Sequence, residues 1–516
     1  MDASTIGTVG AIGTIDTIAA ARRHDRVDTG LAEAFGQIVG AQQVITAFDA
    51  RLAYARDRLP FAVFRERAGG IAGAVPRLIL RPADAAQVAA IVRHACANGI
   101  PVIPYGSGSG VLGGAIALGG EVVVDLRRLD RIVAIHPLDA MVTVECGMNG
   151  ARLEAALDAQ GLTTGHLPQS IEISTVGGWV ACRGGGQASS RYGKIEDIVV
   201  GLKAVLPDGR TIEVRPVARR SVGPSILDLL VGSEGVFGII TEVTLRVWKK
   251  PALERAVVLA FPTLQAAWGC AREMMQAELR PQIVRIYDHV ESAERTRDLA
   301  PFETRPILAM MAFCGSEPMV AAESSAALAI AAAFDGRQAP LGPFEHWQQN
   351  RYVAYSQKWH AAGYFNDTIE VTANWSAIPA LYEAIARAVR QVHPLLHFGA
   401  HWSHVYPEGA CQYMTVRLPP MDAQTALPLH AELWQVVQDL TLAHGGSIAH
   451  HHGAGLFRGP WMGRELGTGL DVLQAIKDAL DPGNLLNPGK LGLRPRAGAK
   501  DIRQGFTGRG AGHGGD

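Results

Sequence analysis

The stretch Pro104-Tyr105-Gly106-Ser107-Gly108-Ser109-Gly110-Val111-Leu112-Gly113-Gly114 constrains this chain more than any other. So many glycines in one loop cost conformational entropy, which is expected only where something must lie close to the backbone. Successive N–H groups and the hydroxyls of Ser107 and Ser109 suit an anion, and the loop reads as a pyrophosphate cradle. Gly108, Gly110 and Gly113 satisfy G-x-G-x-x-G, but a Rossmann site opens a helix on that loop. Here the strand-like run 121–126 follows instead. Upstream, 78–81 reads as a strand, and Pro82 starts a helix with Val88, Ile91, Val92 and Ala95 on one face. A second strand at 100–104 leads into the glycines. The loop therefore joins strand to strand after a β-α-β unit; the alternative is a long glycine-rich surface turn.

Further blocks follow in order: Cys146-Gly147, His166-Leu167-Pro168-Gln169-Ser170, Ser174-Thr175-Val176-Gly177-Gly178, Tyr192-Gly193-Lys194-Ile195-Glu196-Asp197, and Gly232-Ser233-Glu234-Gly235-Val236-Phe237-Gly238-Ile239-Ile240-Thr241. Together with the first loop they resemble the FAD-binding domain of the vanillyl-alcohol oxidase superfamily, the p-cresol methylhydroxylase (PCMH) type, over about 76–250. The resemblance implies FAD as cofactor, with Pro104, Gly106, Ser107, Gly108, Ser109 and Gly110 in one pyrophosphate loop. Pro168, Ser170, Ser174, Thr175, Gly177 and Gly178 form the other. Tyr192, Glu234, Gly235, Gly238, Ile239 and Ile240 are the further cofactor-binding positions it implies. Members that attach flavin covalently from this domain carry a histidine where this chain has Ser109, so the resemblance implies FAD held without a covalent bond.

A chain of 516 residues exceeds one ordinary core, so two or three domains are expected. Net charge of −1 leaves no electrostatic footprint for nucleic acid or an anionic membrane. The six cysteines lack C-x-x-C spacing, so neither a zinc knuckle nor a disulfide framework is expected, and a cytoplasmic location fits. The longest apolar run, 326–334, is too short to span a bilayer. Residues 1–20 read as a flexible leader, 28–55 as helical, and the Gly- and Arg-rich end as a disordered tail. After Pro251 the composition shifts to an α+β half, with helices expected at 264–278, 320–334 and 378–393 and strands at 257–261, 282–287 and 412–418.

The densest chemistry in that half is Ala449-His450-His451-His452-Gly453. Three adjacent histidines cannot all face one side of an element, so at most two should reach one site. A surface loop is one alternative. Metal binding, with His401 and His404 contributing, is another, weakened because no carboxylate stands in ligand spacing. The triplet, Gly409-Ala410-Cys411-Gln412-Tyr413, Arg285-Ile286-Tyr287-Asp288 and Asp481-Pro482-Gly483-Asn484-Leu485-Leu486-Asn487-Pro488-Gly489-Lys490 resemble the alkyldihydroxyacetone-phosphate synthase branch. That branch uses FAD without net redox, through an N5 adduct. The resemblance implies catalytic roles for Tyr413, His450, His451, His452 and Arg285. One departure stands out: the branch has an arginine two residues after the tryptophan of Glu-Thr-x-x-x-Trp-x-Arg, and this chain has Glu370-Val371-Thr372-Ala373-Asn374-Trp375-Ser376-Ala377. A planar, always-charged phosphate donor is thereby lost. Dehydrogenases of the superfamily usually show Glu-His-Gly where this chain reads His451-His452-Gly453.

The expected fold is α+β: a leader and helical extension (1–70), a two-subdomain FAD-binding PCMH-type domain (71–251), and a substrate or cap domain whose C-terminal helical segment returns to the flavin (252–491). A disordered tail (492–516) follows. The expected activity is that of an FAD-dependent oxidoreductase taking hydride from a small alcohol or 2-hydroxy acid, with a synthase-like transferase as the alternative. Expected partners are a small-molecule substrate and, if the enzyme is redox-active, an electron acceptor. No nucleic acid, resident metal or transmembrane segment is expected, and a homodimer stays open.

Overall fold

Four strands around the glycine loop form the first sheet of the computed structural model, which describes residues 17–353 and 355–502. Their order is Val44–Ile45, Ile79–Leu80, Val122–Asp125, Val102–Tyr105, the last three parallel. The helix Ala85–Ala97 buries Val88, Ile91, Val92 and Ala95, the face its spacing predicts, and Asp84 caps it by accepting from the Gln87 N–H. The glycine run does connect strand to strand. The expected helix over 28–55 breaks after Thr29–Val39, where Gly40 has φ of 89° and the β-branched pair Val44–Ile45 adds an antiparallel edge strand.

A second sheet is antiparallel, in the order Ile132–His136, Met141–Glu145, Ile239–Arg246, Val199–Val205, Thr211–Val214. Beyond Pro251 the chain builds a seven-stranded antiparallel sheet. Its order is Arg337–Gln338, Leu253–Phe261, Ile307–Gly315, Ile283–Tyr287, His397–Val405, Gly409–Leu418, Phe365–Asn374. The helices expected in this half are Leu264–Gln276, Glu317–Ala333 and Ile378–Val392. The other four strands and the helix Ala423–Ala443 had no clear signature. Ile307–Gly315 is buried along nearly its whole length, so it shows no apolar–polar alternation.

The register of this sheet sets four side chains abreast. Glu370 pairs with Tyr413, Tyr413 with His401, and His401 with Tyr287, while Arg285 lies two residues from Tyr287 and so shares its face.

After the helix Gly469–Leu480 the chain returns to the first sheet. The Val102 N–H donates to the Leu485 carbonyl (2.8 Å) and the Asn487 N–H to the Val102 carbonyl (2.8 Å). Asn487 Nδ2 donates to the carbonyls of Gly114 and Glu234, and Lys490 Nζ to that of Ile116. The expected disordered tail from 492 is corrected over its first part: Leu493 and Ile502 are buried and the Lys500 N–H donates to Leu118. Composition there hid two apolar anchors. Residues 1–16 and 503–516 of the expected leader and tail lie outside the described residues. Among the described residues no helix is long and apolar enough to cross a membrane.

Lys477 and Asp481 secure the return. Both are buried, Lys477 Nζ donates to Asp481 Oδ2 at 2.6 Å, and the same carboxylate accepts from the N–H groups of Leu485 and Leu486. Asp481→Ala leaves an unpaired buried ammonium and should cost about 3–5 kcal/mol in denaturant unfolding. Asp478→Ala, which removes the partner of exposed Arg494, should cost about 0–1 kcal/mol.

Candidate active site

The two glycine–serine loops meet. A Cβ on Gly106 would stand 2.5 Å from Thr175 Oγ1, and one on Gly178 would stand 3.2 Å from the same atom. Gly108 has φ of 62°, and the Tyr105 hydroxyl fills the space a side chain would need. Pro168 and Ser170 make the tight turns leading into the second loop, accepting from the N–H groups of Ile171 and Ser174. Ser174 Oγ accepts from Trp179 Nε1, and the Gly177 N–H donates to the Cys146 carbonyl. Gly110 accepts from the Arg58 N–H, and the buried Asp57 carboxylate accepts from Gly113 and Leu59; burial pushes Asp57 up to about 6. Beside Ser109, Ser107 Oγ is buried without a partner among the described residues, and so are both ring nitrogens of His166, which packs on Trp179. Bare backbone with orphaned polar atoms fits a polar ligand such as a dinucleotide pyrophosphate. His166 opens one of the sequence blocks, but nothing in its spacing marked it.

The later block supports this cradle from behind. Gly235, with φ of 83°, receives the ring of Pro104, and Gly238 packs on the Val205 carbonyl. Ile239 and Ile240 start the strand paired with Val205 and Ala204. Glu234 is spent on protein: its carboxylate accepts from the N–H groups of Ala454 and Gly455, just after the histidine triplet. Tyr192 lies on Gly165 and Trp248, and its hydroxyl meets Cys314, on the seam with the large sheet.

On that sheet the expected catalytic residues come together. Arg285 does not pair with Asp288, which instead caps the helix His289–Arg295 and accepts from the Ala400 N–H. Arg285 donates to the Tyr287 hydroxyl (2.8 Å) and to His401 Nε2 (2.7 Å). Because a guanidinium can only donate, His401 Nε2 is the acceptor, and the Nδ1 proton goes to Glu291 Oε2 at 3.1 Å. Burial and the Arg285 charge hold His401 neutral, down to about 4. The ring of Tyr413 is near-parallel to both neighbours, at 5.0 Å from His401 and 6.0 Å from His451. Burial holds the Tyr413 hydroxyl protonated.

The triplet is neither a surface loop nor a single face. Glu370, fully buried, accepts from the backbone N–H groups of His450 and His452 and from Arg458, which also donates to the carbonyls of Glu370 and Gly453. So pinned, the rings separate. Tyr406 donates its hydroxyl proton to Ser189, which leaves Ser189 to donate to His404 Nδ1 (2.7 Å) and Tyr406 to accept from His450 Nε2 (3.0 Å). His450 Nδ1 is then the acceptor for the proton on His451 Nδ1, 2.9 Å away. The chain of donors ends with the lone pair on His451 Nε2. Burial, with repulsion among the rings and from Lys194, holds His404 down to about 3 and His450 and His451 well below the imidazole range. His452 is lowered less because Glu370, 3.6 Å from its Nδ1, opposes burial.

Ligand atoms of His404, His450 and His451 lie within 4.8 Å of one another, as do those of Glu370, Cys411 and His451. Chain spacing had concealed that carboxylate. The hydrogen-bond chain accounts for the Nδ1 atoms of all three histidines without a cation. Sequence reasoning also missed Arg458, Tyr406, Ser189 and the Gly184-Gly185-Gly186 run. A Cβ at Gly185 would press on His451 at 3.0 Å, so the run lets the cradle half approach the histidines. The run itself was the available signal.

The cradle offers backbone and hydroxyl groups, and Ser109 is no nucleophile for a flavin ring. Acid or heat should therefore release FAD from the yellow protein; flavin absorbance that stays with the denatured polypeptide would contradict this.

Residues 76–215 match the family described as "FAD binding domain", and residues 250–491 the one described as "FAD linked oxidases, C-terminal domain". The chain is 30% identical over 472 residues to the uncharacterized FAD-linked oxidoreductase YgcU of Escherichia coli K12, covering 88% of this chain and 96% of that one. It is 28% identical over 466 residues to alkyldihydroxyacetonephosphate synthase of Dictyostelium discoideum, covering 83% and 75%. The solved structure of p-cresol methylhydroxylase with substrate bound shares the fold, with a TM-score of 0.75 and 15% identity over 90% of this chain and 97% of that one. Orphaned cradle, histidine cluster and sequence likeness agree that the chain belongs to the FAD-linked oxidoreductases with a PCMH-type fold.

Proposed function

We propose that the protein oxidises the hydroxyl-bearing carbon of a small anionic alcohol or 2-hydroxy acid, with a second substrate later removing the electrons. The observation that carries this reading is the His451 Nε2 lone pair, on a neutral imidazole beside Tyr413 and within the Arg285–His401 row. FAD bound by the two glycine–serine loops supplies a two-electron acceptor. Losing hydride from an alcohol carbon requires that the hydroxyl proton leave, and His451 Nε2 is free to take it. His450, Tyr406 and Ser189 fix its tautomer, and Glu370 fixes its backbone. Arg285 holds the substrate's anionic end through charge-assisted hydrogen bonds, while His401 and Tyr287 hold the guanidinium in place.

A synthase-like transferase is the second reading, favoured by the 28% identity to that enzyme and by the resemblance of the Tyr413 and histidine blocks to that branch. Against it, position 377 has no guanidinium: Ala377 sits before the helix Ile378–Val392, although Trp375 keeps its bonds to the Tyr406 and Pro407 carbonyls. Anaerobic mixing with a hydroxy-acid panel and with acyl-dihydroxyacetone phosphate separates the two. Flavin bleaching with ketone formation supports oxidation, whereas alkyl exchange without reduction supports transfer.

His451→Gln and Tyr413→Phe should each keep FAD and fold but lose on the order of 100-fold in turnover. Because His451 is protonated only well below 6.5, the acid limb of kcat/KM should lie below 6.5 and activity should fall as pH drops through it. A limb at or above 6.5 would remove His451 as the base. Arg285→Lys should raise KM with flavin content unchanged, since an ammonium cannot reproduce the guanidinium fork; unaltered kinetics would detach Arg285 from the substrate.

A further inference from the structure

Arg351 follows the helix Gly342–Asn350 and was not marked by any sequence motif. Its guanidinium lies 4.8 Å from the ring of Trp347, and that of Arg285 lies 5.5 Å from the same ring. The two cations are thus within one small-molecule length of each other. Among the described residues, neither has a carboxylate within ion-pair distance. Two acids act from further off: Glu254 on Arg351, engaged by Gln282 and Gln348, and Glu291 on Arg285, engaged by His401. Arg285 has spent Nε on Tyr287 and one terminal nitrogen on His401. Arg351 spends Nε on Gln187 Oε1 (2.7 Å), and its own carbonyl accepts from Gln187 Nε2, which fixes the residue to the glycine-loop half. Among the described residues its Nη2 nitrogen is buried without a partner. Burial and the neighbouring Arg285 charge both work against its protonation, so the placement is unfavourable for the free protein.

Two guanidiniums against one indole, neither in contact with a carboxylate among the described residues and one of them fixed in place with an unused donor, are offset by a ligand that brings negative charge to both. We propose that Arg351 is a second anion-binding residue and that the substrate is a dianion, either a phosphate monoester or a dicarboxylate. This rests on the reading of Arg285 as the anchor of the substrate's anionic end and adds the charge number to it. Arg351 would thus do, from another element, the work of the guanidinium missing at position 377, and a monoanion would leave one of the two cations unanswered.

The test is calorimetric titration of the FAD-loaded full chain with inorganic phosphate, malonate and acetate, which needs no turnover. At least one of the two dianions should bind about tenfold or more tightly than acetate, the scale of one charge-assisted hydrogen bond. Whether phosphate or malonate leads identifies the source of the second charge. Arg351→Gln should bring the preferred dianion close to acetate while flavin absorbance is kept, and Arg351→Lys should retain part of the preference. Wild-type protein that binds all three anions alike, or Arg351→Gln that keeps the full preference, overturns the proposal. Arg285→Gln separates the two assignments: it should weaken acetate as well, and if it leaves every anion unaffected, it is the Arg285 anchor that fails.

Discussion

The placement of the histidine turn hangs on one buried ion pair, Glu370 with Arg458. The carboxylate has no solvent, so its charge must be answered locally, and it is answered by a guanidinium and two backbone N–H groups of the histidine turn. Arg458 in turn holds carbonyls on both sides, in the strand Phe365–Asn374 and in the turn. A buried pair of this kind gives little net stability, because desolvation consumes most of the attraction. What it gives here is position. The turn cannot slide along the strand without stripping a charge of its partners, and so the histidines stay level with Tyr413 and His401.

The same logic joins the two halves of the chain. Glu234 in the second sheet's approach loop holds the end of the histidine turn, Asn487 holds Gly114 and Glu234, and Lys490 reaches the Ile116 carbonyl. Burial depresses Lys490 to about 8 against the attraction of Glu121, Glu234 and Asp57. Cradle and histidine cluster are therefore one polar seam, with the glycine loops on one side and the large sheet on the other.

Much of this was legible in the chain. The strand–loop–strand setting of the glycines, the helix Ala85–Ala97 and the coming together of Arg285, Tyr413 and the triplet all follow from local pattern and from the quoted blocks. What escaped has a common cause. Glu370 looked like an ordinary strand residue, since the partners that make it special, His450, His452 and Arg458, are remote in sequence. Ile307–Gly315 was invisible because burial on both faces erases alternation. Arg351 carried no motif at all; only its folded surroundings show that, among the described residues, no carboxylate lies in ion-pair contact with it. The tail misled in the opposite direction, since glycine and arginine outweighed the two apolar residues that dock it.

The return of 481–491 to Val102 also sets an order of events during synthesis. The first glycine loop leaves the ribosome early, yet the Val102 strand has its outer neighbour only when Leu485 and Asn487 have been made. Residues 103–484 must all be made before that edge is covered and Lys490 can sit among its carboxylates. Until then the nascent chain exposes an unpaired edge beside an unfinished nucleotide site, the kind of surface that chaperones recognise.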